Sequence, residues 1–214
     1  KDSEVLLDEL NTFYNEFGID QKATLNVNLS GTLNDLDAEN LRLTTNSRTR
    51  IFGDINFKNL FNVTENNFEL DGRFDNLSSN YYDLRALLPN LLGESIPSIF
   101  SKVGNFYITG TTKITPSYIN SNLDIRTDIG HIDTNMLLSE IENIDNASYK
   151  GKVVFDQFDI GKLLNDPKVK ETSFDLDVDG KGFTIDNLKT DVVGKVYSLH
   201  YNGYTYMDVD VSGQ

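Results

Sequence analysis

The sequence predicts a mainly β protein built of antiparallel strands, because apolar and polar residues alternate along several segments. The plainest case is Phe174, Leu176 and Val178, which are separated by single aspartates. A period of two places the apolar side chains on one face of a strand and the polar ones on the other. Asn202 and Gly203 lie between two further alternating runs, which is a strong signal for a hairpin. We therefore expect many strands, each with one apolar face.

The composition argues against several classes of function. The chain has 214 residues, a formal net charge of −14 and no cysteine. Nucleic-acid binding needs clustered lysine and arginine, which this acidic chain lacks, and neither a disulfide nor a thiolate site can form. No stretch approaches the roughly 18 consecutive apolar residues of a membrane helix. The chain starts at Lys1 and ends directly after an alternating run, so we expect a piece of a longer protein.

The first 20 residues are predicted to form an amphipathic helix. Leu6, Leu10, Phe13 and Phe17 recur at helical spacing, and Gly18 ends the pattern. An acidic polar face suits a membrane surface poorly. We expect this helix to pack over an open end of the sheet.

Residues 21–214 are predicted to form the sheet, with a degenerate strand-turn-strand repeat. Gly31 and Gly72 each follow alternating residues and each begin a segment of the form Gly-x-apolar-x-x-Leu. Helical inserts are predicted near 83–103, 134–140 and 158–165, where leucines cluster between strands. Their positions between strands place them along the rims of the sheet.

No catalytic or metal site is predicted. His131 and His200 are the only histidines, and neither lies at metal-ligand spacing from another ligand type. The run from Asp175 to Gly180 matches the start of a calcium loop, but strand alternation points its acids along one face instead of around an ion. No pair of acid and base, no nucleophile triad and no phosphate-binding turn stands out. We expect a protein that is not an enzyme.

These patterns leave open what the apolar faces meet. A sandwich would press two such faces together about 10 Å apart. A folded-over sheet with an open seam would instead leave a groove for a ligand.

Several segments resemble the AsmA-like proteins, and most closely the TamB family, the large anchored subunit of the translocation and assembly module of diderm bacteria. The segments are LSGTLNDLDAENLRLTT, FDIGKLLNDPKV, TSFDLDVDGKGFTIDNLKTDVVGKV and YNGYTYMDVDVSGQ. The resemblance implies a curved, folded-over antiparallel β-sheet, called a β-taco, with short helices at its rims and a continuous hydrophobic groove.

The same resemblance implies a periplasmic segment of a bridge that carries phospholipid acyl chains between the inner and outer membranes. The partners it implies are phospholipid, an outer-membrane barrel of the Omp85 type similar to TamA, and the inner membrane through an anchor outside this sequence. It implies no cofactor. The candidate lining of the groove comes from the alternating runs: Leu25, Val27, Leu29, Phe68, Leu70, Phe106, Ile108, Phe174, Leu176, Val178, Tyr197, Leu199 and Tyr201.

Other functions stay open on the sequence alone. A structural or chaperone module for outer-membrane protein assembly would pair its exposed strand edges with unfolded strands, and would need no continuous groove. A plain extracellular β-sandwich acting as an adhesin is a further alternative.

Overall fold

The computed structural model describes residues 3–12, 17–60, 67–89, 98–141, 147–182 and 187–213. They form one antiparallel sheet of 12 strands, in which each strand pairs with the next one along the chain. The sheet is curved and unclosed, with β1 and β12 at its two edges. The strands are β1 (Ser3–Leu6), β2 (Lys22–Gly31), β3 (Leu36–Thr45), β4 (Arg50–Lys58), β5 (Glu69–Asn80), β6 (Asn105–Ile114), β7 (Tyr118–Thr127), β8 (Gly130–Ser139), β9 (Ser148–Asp159), β10 (Val169–Lys181), β11 (Lys189–Tyr201) and β12 (Tyr204–Gly213).

The prediction of a mainly β, antiparallel protein is confirmed. The described strands belong to a single sheet and not to two stacked sheets. The alternative of a two-sheet sandwich is therefore wrong for the part of the chain that the structure describes.

The strand register gives the sheet one continuous apolar face. Residues directly opposite each other in an antiparallel pair lie on the same face. One row of such residues crosses the sheet from β2 to β12 without a polar member, and we call it the main apolar row. It consists of Leu25, Leu43, Ile51, Leu77, Ile108, Ile125, Ile132, Phe155, Phe174, Val196 and Val209.

Glycines in the middle of the strands allow the backbone to bend there. Gly53 in β4 and Gly110 in β6 have φ of +150° and +128°, which L side chains rarely adopt. A Cβ atom would lie 1.9 Å from the carbonyl oxygen of Arg73 at Gly53, and 2.1 Å from that of Asn122 at Gly110. Glycine kinks and bulges curve β-sheets. The pairing of β4 with β5 shows one such irregularity, a register shift between Phe52 and Gly53.

All the described helices lie at one end of the strands, which we call the helix end. They are the 3₁₀ helix η1 (Leu7–Thr12), α1 (Tyr81–Leu87), the 3₁₀ helix η2 (Ser98–Val103) and α2 (Ile160–Leu164). Asn80 caps α1, because its side-chain oxygen accepts from the backbone N–H groups of Tyr82 and Asp83. Asp159 caps α2 in the same way through the N–H of Lys162. Short helices therefore lie at a rim of the sheet, as expected.

The predicted inserts near 83–103 and 158–165 correspond to these helices. The first becomes α1 and η2, while residues 90–97 lie outside the described part of the chain. The second is shorter than expected, because Phe158 still belongs to β9 and α2 begins at Ile160.

The insert predicted near 134–140 is wrong, because those residues extend strand β8 as far as Ser139. Met136, Leu137 and Leu138 are consecutive apolar residues that resemble a helical patch. In the sheet, Met136 and Leu138 lie on the apolar face, while Leu137 lies on the other face and is 40% exposed. Because Leu137 is apolar although it lies on the polar face, the sequence of this strand does not alternate between apolar and polar residues.

The helix predicted over residues 1–20 is also wrong where the structure describes it. Ser3–Leu6 forms an edge strand against β2, with Val5 opposite Ala23, and only Leu7–Thr12 is helical, as η1. The Asn11 side chain donates to the carbonyl oxygen of Phe17 and accepts from its N–H. Residues 13–16, including the predicted Phe13, lie outside the described part.

Candidate ligand-binding face

The apolar face is only half-buried over most of the sheet. Every member of the main apolar row is half-buried except Val209, which is 42% exposed. A second row on the same face lies nearer the opposite end of the strands, which we call the loop end. It consists of Leu36, Phe57, Leu70, Ile114, Ile119, Leu138 and Tyr149, all half-buried. Both rows are therefore partly open to a ligand.

One row between the two apolar rows holds both small and bulky residues. It runs from Gly72 through Thr112, Ser121, Met136 and Gly151 to Val178. The two apolar rows are six residues apart on β8, from Ile132 to Leu138, which is about 20 Å at about 3.4 Å per residue. The face therefore has bulky apolar side chains along two lines, with small side chains at some positions between them and bulky ones at others.

The helix end of the apolar face is sealed by two clusters of buried side chains. Leu7 of η1 and Leu87 of α1 pack with Ala23 of β2. Val103 of η2 packs with Ile129 and Phe158, and Phe158 is only 1% exposed. The helices thus cover the apolar face at this end, where they complete a small closed core.

Most of the predicted lining residues share the apolar face. Leu25, Ile108 and Phe174 belong to the main apolar row, and Leu70 belongs to the second row. The pairings and the alternation of β2, β6, β10 and β11 place five more on this face: Leu29, Phe106, Leu176, Val178 and Leu199. Val27 follows by alternation from its neighbours in β2.

The remaining predicted residues differ in their positions. Phe68 is half-buried and directly precedes β5. Tyr201 is 43% exposed at the end of β11, opposite Val169 and Tyr204. Tyr197 does not join Leu199 on the apolar face.

Tyr197 lies on the charged face because the strand alternation is interrupted beside it. The register between β10 and β11 shifts between Ser173 and Phe174, so Val196 and Leu199 both lie on the apolar face with two residues between them. The Lys195 ammonium lies over the Tyr197 ring, 5.7 Å from its centroid. Sequence alternation alone placed Tyr197 on the wrong side, since it could not reveal the bulge.

Sequence reasoning missed much of the main apolar row. Leu43, Ile51, Leu77 and Phe155 are directly paired with residues of this row but were not among the predicted lining. The signal that identifies them is the pairing register, which a single strand does not contain.

The opposite face of the sheet carries cross-strand ion pairs. Lys150 Nζ lies 2.7 Å from Asp179 Oδ2, and Lys152 Nζ lies 2.9 Å from Asp175 Oδ2. The hydrogen bond from Lys152 to Asp175 raises the pKa of the Lys152 ammonium. Two acids of the calcium-like run are thus paired with lysines, and this charged face is suited to water.

The two edges of the sheet differ. β1 has four residues, and η1 follows it directly. β12 has ten residues, of which all but Val211 are exposed, including Tyr204 at 69% and Met207 at 67%. The outer edge of β12 has no pairing strand among the described residues, so its backbone groups are available to another strand.

Comparison with models of protein families, with curated proteins and with solved structures finds no match to this chain. Among the residues that the structure describes, no helix has the length and apolar character needed to cross a bilayer.

Proposed function

We propose that the apolar face lines a groove for phospholipid acyl chains, and that this chain is a periplasmic segment of a bridge similar to TamB and AsmA-like proteins. The single observation that carries the proposal is the main apolar row, which crosses the sheet from β2 to β12 without a polar residue and is half-buried except at Val209. In this reading, the curved sheet is a folded-over β-taco with its apolar face inside.

The free energy of moving lipid through water requires a long apolar surface. Each methylene group exposed to water costs about 0.8 kcal/mol, so a phospholipid with about 30 methylenes faces a cost on the order of 24 kcal/mol. A small patch cannot offset this cost. A sheet of 12 strands at about 4.8 Å per strand offers a strip about 50 Å long, which suits a flexible hydrocarbon chain.

The spacing of the two apolar rows supports the same ligand. The rows lie about 20 Å apart along the strands, and the residues between them include further apolar side chains such as Met136 and Val178. Within the described part of the chain, the helices cover the apolar face at the helix end. Acyl chains would lie between the rows, while the headgroups would stay at the seam in contact with water.

This function needs no catalytic residue. Lipid transfer along a groove breaks no covalent bond, so the protein would act as a conduit and not as an enzyme. The outer-membrane partner in this proposal is a barrel of the Omp85 type, and the inner-membrane anchor lies outside the sequence.

A second candidate function follows from the β12 edge. A ten-residue strand with exposed Tyr204, Tyr206 and Met207 could pair with an unfolded outer-membrane strand by β-augmentation. The chain would then be a structural or chaperone module. This function requires the edge of the sheet but not its apolar face.

Lipid analysis of the purified protein tests the first function. We expect mass spectrometry to find phospholipid bound to the wild-type protein when it is produced in a diderm bacterium. Leu176→Asn on the apolar face should lower the bound lipid at least about fivefold, because a polar amide would face the hydrocarbon. Val193→Asn is the matched control, since Val193 is exposed on the charged face opposite Asp177.

Circular dichroism should show that both variants remain folded. The proposal fails if the wild-type protein carries no phospholipid and takes up none from labelled vesicles. Equal loss of lipid in both variants would also contradict it. Binding of a peptide from an outer-membrane strand that is blocked by Met207→Pro, but unaffected by Leu176→Asn, would favour the second function.

A further inference from the structure

A cluster of potential metal ligands lies on the charged face at the β7–β8 hairpin. His131 Nε2 is 3.1 Å from Asp124 Oδ2 and 3.8 Å from Asp133 Oδ1. One ligand atom from each of the three residues lies within 4.8 Å of the other two. The side chains of Asp124 and His131 are 33% and 30% exposed, so a solvated ion can reach them.

The two separations from His131 Nε2 are close to the distance between neighbouring ligand atoms in the first coordination shell of a transition metal. Bonds from Zn²⁺ to imidazole nitrogen and carboxylate oxygen are about 2.0–2.2 Å long, so neighbouring ligand atoms in a tetrahedral site lie about 3.4 Å apart. The distances from His131 Nε2 to the two carboxylates lie on either side of that value. Small side-chain rotations would bring the ligands into place.

The charge arrangement gives an independent reason for a cation at this position. Asp124 and Asp133 are directly opposite each other across β7 and β8, and like charges in such a pair destabilise a sheet. Asp156 of β9 lies opposite His131 and adds a further acid on the same face. Arg126 Nε lies 3.5 Å from the other oxygen of Asp124, Oδ1. Asp124 Oδ2, which is within hydrogen-bond distance of His131 Nε2, and Asp133 Oδ1 thus both lie beside the imidazole.

The backbone that carries the ligands is held firmly. The Thr127 hydroxyl donates to the carbonyl oxygen of Gly130 at 2.8 Å, and Asp128 Oδ2 accepts from the N–H of Asn105 at 2.8 Å. Ile129 in the turn is packed against Phe158 in the closed core. The backbone on both sides of the ligand residues is therefore ordered before any ion binds, which lowers the entropic cost of binding.

We propose that Asp124, His131 and Asp133 form a binding site for a divalent transition metal of the Zn²⁺ class, with water or Asp156 completing the coordination. The imidazole nitrogen favours such ions over Ca²⁺ and Mg²⁺, which prefer oxygen ligands only. The bound ion would join β7 to β8 on the charged face. The site is separate from the proposed lipid groove, which lies on the other face.

The test is isothermal titration calorimetry of the tag-free chain with ZnCl₂ and, separately, with CaCl₂, after treatment with a chelator. A histidine tag must be absent because it would bind the metal itself. We expect one Zn²⁺ per chain and at least about tenfold weaker binding of Ca²⁺. His131→Gln should weaken Zn²⁺ binding at least about tenfold, since loss of even an outer-shell partner costs this much in other sites.

The other histidine of the chain supplies the matched control. His200 lies in β11, where its Nδ1 is 3.2 Å from the carbonyl oxygen of Glu171, and His200→Gln should leave Zn²⁺ affinity unchanged. Asp133→Asn should weaken binding while the circular dichroism spectrum stays constant. The proposal is overturned if His131→Gln binds Zn²⁺ as well as the wild type, if His200→Gln abolishes binding, or if no stoichiometric binding occurs.

Discussion

Phe155 stacks on Phe174 across β9 and β10, with ring centroids 4.4 Å apart and an angle of 26° between the ring planes. Phe155 also contacts Phe158, at a centroid distance of 4.5 Å. Phe158 is fully buried in the cluster at the helix end, whereas Phe174 is only half-buried in the main apolar row. Phe155 thus packs against a residue of the buried cluster on one side and a residue of the partly exposed face on the other.

Truncation of these two phenylalanines should therefore have unequal costs. We expect Phe158→Ala to lower the free energy of unfolding by about 3–5 kcal/mol, because it leaves a cavity in a closed cluster. Phe174→Ala should cost only about 1–2 kcal/mol in lipid-free protein, since its ring already meets solvent in part. Urea denaturation of the delipidated variants measures both values. Equal costs would mean that the apolar face is a packed core without room for a ligand.

Adding a methyl group at Gly110 should destabilise the sheet strongly. The Cβ atom of Gly110→Ala would lie 2.1 Å from the carbonyl oxygen of Asn122, at a φ of +128°. The strand must shift to relieve this contact, and we expect a loss of about 2–4 kcal/mol in the free energy of unfolding. Gly213→Ala is the control, because a Cβ atom there meets nothing within 4 Å. A stability for Gly110→Ala within about 0.5 kcal/mol of the control would show that the kink is not required.

The sequence predicts those strands whose own residues alternate regularly. Phe174, Leu176 and Val178 lie together on the apolar face because β10 has no irregularity between them. For Leu137 and Tyr197, the alternation of the sequence predicts the wrong position. Leu137 is an apolar residue on the charged face, and Tyr197 lies at a bulge that interrupts the alternation. The bulge is a property of the pairing between β10 and β11, which the local pattern does not contain.

The cluster around His131 shows the same limit for a functional site. Asp124 and His131 are seven positions apart in the sequence, and this spacing signals a metal site only once the turn is placed between them. The hairpin turn at Asp128 and Ile129 brings Asp124 opposite Asp133. A search for ligand residues placed symmetrically about a predicted hairpin turn would have found the cluster.

A buried hydrogen bond between two hydroxyl groups should couple β4 to β5. Thr49 is fully buried, and its Oγ1 lies 2.7 Å from Ser79 Oγ. We expect Thr49→Val to lower the free energy of unfolding by about 1–3 kcal/mol, because it preserves the shape but removes the partner of the Ser79 hydroxyl.

A double-mutant cycle with Ser79→Ala isolates this interaction. The double variant should be less destabilised than the sum of the two single variants, with a coupling energy of about 1 kcal/mol. Chemical denaturation of the four proteins provides the measurement. Strictly additive effects would show that the hydroxyl pair contributes no interaction of its own.

Part of the stability of the sheet should be lost at acidic pH because Glu69 becomes protonated. Its two carboxylate oxygens lie 3.0 Å from Lys58 Nζ and 3.0 Å from Lys113 Nζ. A hydrogen bond from Lys58 and a second one from Lys113, which has the smaller effect, lower the pKa of Glu69 below its ordinary value of 4.5. Because the folded-state pKa is the lower one, this stabilisation is complete above pH 4.5 and is lost as the pH falls through the folded-state pKa.

Replacement of Glu69 should accordingly flatten the acid side of the stability profile. We expect the thermal midpoint of Glu69→Gln to change less than that of the wild type as the pH falls from about 5 to about 3, since the amide has no proton to gain. Glu39→Gln, an exposed glutamate of β3, controls for the change in net charge. High salt should reduce the difference between wild type and Glu69→Gln, because it screens exposed ion pairs. Parallel profiles for the wild type and Glu69→Gln would show that the lysines do not hold this carboxylate in its charged form.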